Sequence, residues 1–173
     1  YQMVQADRLT LAFAAAADLA GADIANYVEA LTPLRTGDRI SGMTVRDGFS
    51  GDTFAITAGV TVNAAGARAN TIMQAFGVSR RVPLVKAMNL VTARPASDIA
   101  LAAPTATGQM LTLVPWQGRA IIGTGQSKTL VEPDASGVTE GEVEAFIAEA
   151  NQAFPALRLT RDEVRLVHRG VVP

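Results

Sequence analysis

The sequence predicts an α+β fold: a mixed, mostly antiparallel sheet with helices on one side. Short apolar segments separated by turn-forming pairs such as Asp47-Gly48 and Gln117-Gly118 are typical of antiparallel strands. Two longer segments are predicted as helices: residues 7–20 are rich in alanine and leucine, and residues 140–154 have apolar residues at helical spacing. A predicted helix, then Gly21, then a predicted strand form half of a βαβ unit, so we also expect a fragment of a doubly wound domain.

Composition excludes several classes of site. Of the 173 residues, 49% are hydrophobic and 18% are charged, and the net charge is −1 without a basic cluster. This balance argues against nucleic-acid binding and against a basic membrane-binding face. The chain has no cysteine and one histidine, so we expect no metal site and no thiol nucleophile. The longest apolar run is too short to cross a bilayer.

Three segments carry helix-start signals. Asp7–Ala20 is predicted as a helix with Asp7 as its N-cap and Gly21 after its last turn. Thr139 and Glu142 have the spacing of a capping box, which predicts a helix to about Phe154. Thr160 and Glu163 repeat that pattern on a single turn.

The remaining chain is predicted as strands. In Val82–Thr92, alternation places Asn89 on one face and Lys86 on the other, where we expect a solvated or interdomain lysine. The other predicted strands are Ala22–Leu31, a three-stranded meander in Leu34–Ala58, a short strand near Ile99–Ala103, a hairpin in Gly108–Gly125 and a last strand at Val164–Val172.

The segment Val60–Arg68 is predicted as a buried strand that ends in a turn at Gly66, followed by a helix at Asn70–Phe76. Small residues and a glycine allow another molecule to approach the backbone, and the first N–H groups of a helix lack internal partners. The segment is therefore either a ligand cradle or an ordinary strand-to-helix connection.

Four segments, in order and at similar spacing, resemble the FAD-dependent glycerol-3-phosphate dehydrogenases, within the D-amino-acid-oxidase-like flavoenzymes. The resemblance covers nearly the whole chain. The matching residues are Asp7-Arg8-Leu9 with Gly21-Ala22 and Asn26-Tyr27-Val28; Val62-Asn63-Ala64-Ala65-Gly66; Val114-Pro115-Trp116 with Ile121-Ile122-Gly123-Thr124; and Thr139–Val143 with Leu159–Asp162 and Gly170–Pro173.

The resemblance implies FAD as cofactor and divides the chain. Residues 1–31 would be a fragment of the FAD-binding domain, 32–61 an antiparallel meander, 62–78 a return to the FAD-binding domain, and 79–173 the substrate-binding domain. Val28, Ala64, Ala65 and Gly66 would contact FAD through backbone atoms. No G-x-G-x-x-G pyrophosphate turn occurs in the chain, so we interpret it as a central excerpt that retains no flavin by itself.

The resemblance also implies site residues and departures from the family pattern. Asn89 stands where the family has a histidine facing the flavin, and is the candidate catalytic residue. Val172 stands where the family has a substrate-gripping arginine. The candidate substrate-binding residues are Thr124, Trp116 and Gln126, although core packing is the alternative for Trp116. A structural role is expected for His168, which stands where the family has an aromatic residue.

The function implied is that of a substrate-binding domain in an oxidoreductase that transfers a hydride from a small hydroxy compound, such as glycerol 3-phosphate, to FAD. A quinone or another acceptor would then take the electrons. An amine- or amino-acid-oxidising flavoenzyme, and a non-catalytic binding domain, remain alternatives. The resemblance implies a cytoplasmic protein, with peripheral attachment to the inner membrane face left open.

Overall fold

The computed structural model describes residues 5–173, which form two compact units, Gln5–Val82 and Pro83–Pro173. The helices are α1 (Ala6–Leu19), α2 (Ala69–Ala75) and α3 (Glu140–Ala153), and 3₁₀ turns lie at Gly66–Arg68 and Arg161–Glu163. The strands are β1 (Val28–Thr36), β2 (Arg39–Asp47), β3 (Thr53–Thr57), β4 (Val85–Thr92), β5 (Leu101–Pro104), β6 (Met110–Trp116), β7 (Arg119–Gln126) and β8 (Val164–Val172).

The unit Gln5–Val82 contains a three-stranded antiparallel sheet in the order β1-β2-β3. This is the predicted meander. The turn between β2 and β3 is held by Asp47, whose Oδ1 accepts hydrogen bonds from the backbone N–H groups of Phe49 and Ser50. Of the described residues in this unit, only Met43 and Val45 are buried apolar side chains. Helix α1 buries none of its residues.

Three local expectations in this unit are wrong. The strand expected at Ala22–Leu31 begins only at Val28 and continues to Thr36, because those residues pair with β2. The buried strand expected from Val60 is an exposed extended segment, because it pairs with no strand of residues 5–173. Val60 and Val62 are 79% and 80% exposed.

The third concerns the start of α1. The N-cap is Gln5, which makes no side-chain capping bond, and Asp7 lies in the first turn. Asp7 is therefore not the cap, although its negative charge still lies at the helix end where it is favourable.

The unit Pro83–Pro173 is a five-stranded sheet in the order β5-β6-β7-β4-β8, with every pairing antiparallel. Helix α3 packs on one side of it. Val143, Phe146, Ile147 and Ala150 recur at helical spacing and are all buried. They form one core with sheet residues Leu90, Leu111, Leu113, Ala120, Ile122 and Val164 and with Leu159.

These findings confirm the α+β class, with antiparallel sheets and three helices. The capping boxes at Thr139 and Thr160 are both formed. The strand predicted from Val82 begins at Val85. Val82 is held by the side chain of Asn70, which accepts from its N–H at 2.8 Å and donates to its carbonyl at 2.9 Å.

Among residues 5–173, no helix combines the length and the apolar character needed to cross a membrane.

Candidate functional site

Asn89 lies in the middle of β4, between β7 and β8. Its neighbours Met88 and Leu90 point toward α3, where Leu90 is fully buried and Met88 packs against the core. Because side chains alternate along a strand, Asn89 points to the opposite side of the sheet. We refer to this side, which carries Ala87, Asn89 and Val91 of β4, as the Asn89 face.

The strand pairing beside Asn89 contains a β-bulge. Met88 pairs with Gly125 and Leu90 pairs with Ile122, so Gly123 and Thr124 both lie opposite Asn89. The Thr124 hydroxyl donates to Asn89 Oδ1 at 3.0 Å. The extra residue in β7 thus directs the threonine side chain onto the asparagine amide. The amide nitrogen of Asn89 makes no hydrogen bond to any residue in the described part of the chain, and it can donate to a ligand.

Gly123 is the residue that lets Asn89 take this position. A Cβ atom at Gly123 would lie 1.6 Å from Asn89 Oδ1 and 2.6 Å from its Cγ, far inside contact distance. Sequence reasoning included Gly123 in a motif but did not identify it as a site residue. The G-T pair at the end of an apolar strand was the available signal.

Trp116 and His168 lie on the same side of the sheet as Asn89. His168 is the direct cross-strand partner of Asn89 on β8. The rings of Trp116 and His168 meet edge to face, with centroids 6.1 Å apart. Trp116 is half-buried at the end of β6 rather than enclosed in the core. Trp116 therefore borders the Asn89 face on the side of β6.

Gln126 lies at the end of β7, where it pairs with Ala87 and so shares the Asn89 face by register. It also borders a cavity of about 440 Å³ beside α3, together with Lys86, Glu142 and Phe146. The structure therefore brings Asn89 and Thr124 into contact and places Trp116 and Gln126 on the same side of the sheet.

Lys86 lies on the opposite side of β4 from Asn89, as alternation predicts, and it borders this cavity in an ion pair rather than being freely solvated. Its ammonium group forms an ion pair with Glu142 and donates to the Gly137 carbonyl at 3.2 Å. The Lys86 hydrogen bond, followed by those from the Thr139 N–H and hydroxyl, lowers the pKa of Glu142 to about 2. The pair joins β4 to the first turn of α3.

The four candidate FAD contacts lie in the other unit. Val28 is the first residue of β1. Ala64 and Ala65 are exposed and precede the 3₁₀ segment, which begins at the exposed Gly66. Gly66 has φ +53°, a conformation that favours glycine. Asn63 holds the turn by accepting from the Ala65 N–H at 3.3 Å and donating to the Ala69 carbonyl at 3.0 Å.

This turn fits a nucleotide contact. Ala64 and Ala65 are exposed and carry only methyl groups, and nothing lies within 4 Å of the position that a Cβ at Gly66 would occupy. The backbone can therefore be approached closely by a planar ligand.

Among the described residues, no group of three or more histidine, cysteine, aspartate or glutamate side chains could hold a metal ion.

Comparison with known proteins identifies the family of this chain. The family model described as FAD dependent oxidoreductase matches residues 1–173. The chain belongs to this family, whose cofactor is FAD.

Glycerol-3-phosphate dehydrogenase from a Synechocystis strain is 28% identical over 189 residues, covering 99% of this chain and 34% of the relative. The glycerol-3-phosphate dehydrogenase of Bacillus halodurans, solved in complex with FAD, superposes with a TM-score of 0.80 at 28% identity, over 95% of this chain and 34% of that one. L-proline dehydrogenase from P. horikoshii has a TM-score of 0.70 at 23% identity, over 94% of this chain and 42% of that one, and shares the fold. The chain thus spans about a third of the dehydrogenases it matches.

Proposed function

We propose that this chain supplies the substrate-binding part, and a portion of the FAD-binding part, of a flavin-dependent dehydrogenase that oxidises a small hydroxy compound. The main support is the hydrogen bond between Thr124 and Asn89, whose side chain packs directly on Gly123 on the Asn89 face. The chain that carries this pair belongs to the FAD-dependent oxidoreductase family. By itself, the chain is expected to be inactive.

Asn89 and Thr124 would orient the substrate. Both are half-buried, and between them they offer an amide N–H and a hydroxyl oxygen on the same face. These groups can bind a hydroxyl in the substrate and a carbonyl in the product, since an amide donates and a hydroxyl does both. Trp116 would exclude water from one side of the bound molecule. FAD, when bound, supplies the hydride acceptor.

Val28 and Ala64–Gly66 would hold FAD through backbone atoms. This assigns residues within Gln5–Val82 to a fragment of the FAD-binding half and Pro83–Pro173 to substrate binding. The support is the exposed small-residue turn in the first unit and the self-contained sheet with Asn89 in the second. The eventual electron acceptor in this proposal is a quinone or another external oxidant.

The residue at the end of β8, Val172, bears on whether the substrate carries a phosphate group. Val172 pairs with Val85, and both are half-buried apolar residues. No cation stands at this position to grip a phosphate by bidentate hydrogen bonds. This favours a second candidate, an unphosphorylated amine or amino acid, beside glycerol 3-phosphate.

Anaerobic reduction of the flavin tests the proposal. The flavin-loaded protein containing this chain is mixed with glycerol 3-phosphate, glycerol or L-proline, and loss of the oxidised flavin absorption is followed. Bleaching by a hydroxy compound is expected. Asn89→Ala and Thr124→Val should each slow it, whereas Lys128→Ala, a change beside α3, should not. Bleaching by proline alone would support the amine candidate, and bound flavin with no bleaching by any compound would indicate a non-catalytic domain.

A further inference from the structure

We propose that His168 is the proton acceptor of the oxidation, working from the strand next to Asn89. The inference rests on the proposed function, because it assigns the fate of the hydroxyl proton of the same substrate.

The first support is position. His168 is opposite Asn89 in the β4–β8 pairing, so both side chains project from the same side of the sheet. Cross-strand partners have Cβ atoms about 4.5–5.5 Å apart. A ligand oxygen that accepts from the Asn89 amide therefore lies within reach of the imidazole. His168 is exposed, so this approach is open.

The second support is the fixed ring. The edge-to-face contact with Trp116, at 6.1 Å between centroids, restrains the His168 imidazole from the side of β6. Aromatic rings favour this edge-to-face arrangement over a face-to-face stack. The tryptophan thus has a second role, since it orients the histidine as well as lining the face.

The third support is chemical. Oxidation of a hydroxy compound needs a group that takes up a proton near neutral pH, and an asparagine amide cannot do this. His168 is the single histidine of the sequence. On the five strands of this sheet, the residues that share this side by register include no aspartate, glutamate, lysine or tyrosine: Ala102, Pro104, Met110, Thr112, Val114, Trp116, Arg119, Ile121, Gly123, Thr124, Gln126, Val85, Ala87, Asn89, Val91, Leu166, His168, Gly170 and Val172.

The step balances as follows. The hydrogen on the carbinol carbon would leave with its electron pair, and FAD, when bound, would be the two-electron oxidant that takes it up. The hydroxyl proton passes to a ring nitrogen of His168, and the C–O bond becomes C=O. The imidazolium then loses its proton to solvent from the exposed edge of the sheet, where β8 is the last strand.

The test combines two readouts on the flavin-loaded protein. In the first, diethylpyrocarbonate modifies histidine, and mass spectrometry measures the modified fraction of the peptide that carries His168. Glycerol 3-phosphate and glycerol are the probes. We expect the compound that reduces the flavin to lower the modified fraction of the His168 peptide at least several-fold. The compound that does not reduce the flavin should leave this fraction unchanged.

In the second readout, His168→Gln should slow flavin reduction by about 10²–10⁴-fold, the usual contribution of a positioned acid–base group. Adding Asn89→His, which returns an imidazole to the same face, should restore part of that rate. Arg169→Gln is the matched control, because Arg169 is the adjacent exposed residue that pairs with Met88 on the other side. Its rate should be unchanged.

The outcomes separate the two proposals. Rapid flavin reduction by His168→Gln, or full modification of His168 in the presence of the reducing compound, would overturn the assignment of His168 and leave the proposed function standing. If neither hydroxy compound reduces the flavin of the unaltered protein or protects His168, both proposals fail.

Discussion

At the scale of single residues, the candidate site depends on a missing side chain. Asn89 occupies space that any Cβ at Gly123 would fill, and Thr124 reaches Asn89 because β7 carries an extra residue. A few atoms therefore decide whether an amide and a hydroxyl meet. Two predictions belong to this scale.

Gly123→Ala should displace Asn89 and remove ligand binding at the Asn89 face. Its Cβ would lie 1.6 Å from Asn89 Oδ1, so the asparagine must leave or the strands must separate. Overpacking of this kind typically costs about 1–3 kcal/mol. Thermal unfolding measures the loss, and the Cα–H and amide NMR signals of β4 report the shift. An unperturbed Asn89 amide signal would contradict the close contact.

Glu142→Gln should lower stability in a pH-dependent way. The pKa of Glu142 is about 2 in the folded chain, lowered from 4.5 mainly by Lys86. A depressed folded pKa stabilises the protein above pH 4.5, and this contribution is lost as pH falls from 4.5 through about 2. The melting temperatures of the variant and the original should therefore differ above pH 4.5 and converge toward pH 2.

Glu149→Gln is the control for this titration, because Glu149 lies on the same helix and makes no ion pair among residues 5–173. A melting-temperature difference for Glu142→Gln that stays constant from pH 7 to about pH 2 would rule out the ion pair as its source.

At the scale of elements, α3 is the helix that organises the second unit. Its start is fixed by Thr139, whose hydroxyl accepts from the Glu142 N–H at 3.3 Å, while the Glu142 carboxylate accepts from the Thr139 N–H at 2.8 Å. The same carboxylate pairs with Lys86 of β4. The Glu142 side chain thus caps the start of the helix and also attaches the helix to the sheet.

Thr139→Ala should destabilise this unit by about 1 kcal/mol, the usual loss for an N-cap threonine. Chemical denaturation measured by far-UV circular dichroism would show a lower midpoint with an unchanged slope. Thr129→Ala is the control and should be neutral, because the Thr129 hydroxyl makes no hydrogen bond within residues 5–173. Equal midpoints for Thr139→Ala and the original would show that the capping box contributes nothing.

At the scale of the whole molecule, burial is unevenly shared between the two units. The continuous core formed by α3 and the five-stranded sheet lies wholly within Pro83–Pro173. In Gln5–Val82, helix α1 leaves the apolar residues Leu11 and Phe13 70% and 69% exposed. Two expectations follow for the separated pieces and for the cofactor.

The fragment Pro83–Pro173 should unfold cooperatively by itself, whereas Gln5–Val82 should not. The stability of a fragment of this size depends on its buried apolar area, and the fragment Pro83–Pro173 contains nearly all of the buried apolar residues. Thermal melts of the two fragments by circular dichroism test this. A sharp transition for Gln5–Val82 together with none for Pro83–Pro173 would reverse the assignment of the core.

The purified 173-residue chain should retain no tightly bound flavin. Its exposed turn at Ala64–Gly66 offers only backbone contacts, and the sequence contains no G-x-G-x-x-G turn to hold a pyrophosphate. The absorption spectrum of the purified chain checks this expectation, and a flavin band near one equivalent would contradict it.

Local patterns in the sequence were enough for much of the fold. Both capping boxes, the hairpin around Gln117-Gly118 and the strand Val164–Val172 follow from signals within a few residues. The strand expected at Val60 was wrong because a strand needs a partner, and an apolar run does not specify one. Gln126 was grouped with the site by its place in a motif, and its pairing with Ala87 puts it on the Asn89 side of the sheet, at the end of β7.

The sequence by itself determined the fold class, the family and the side of β4 on which Asn89 lies, because periodicity and motif order are properties of the chain alone. Only the tertiary structure decided which residues surround Asn89. The bulge brings Thr124 to Asn89 across 35 residues of chain, and the pairing of β4 with β8 brings His168 to Asn89 across 79 residues. The register between such distant strands is set by packing rather than by local sequence.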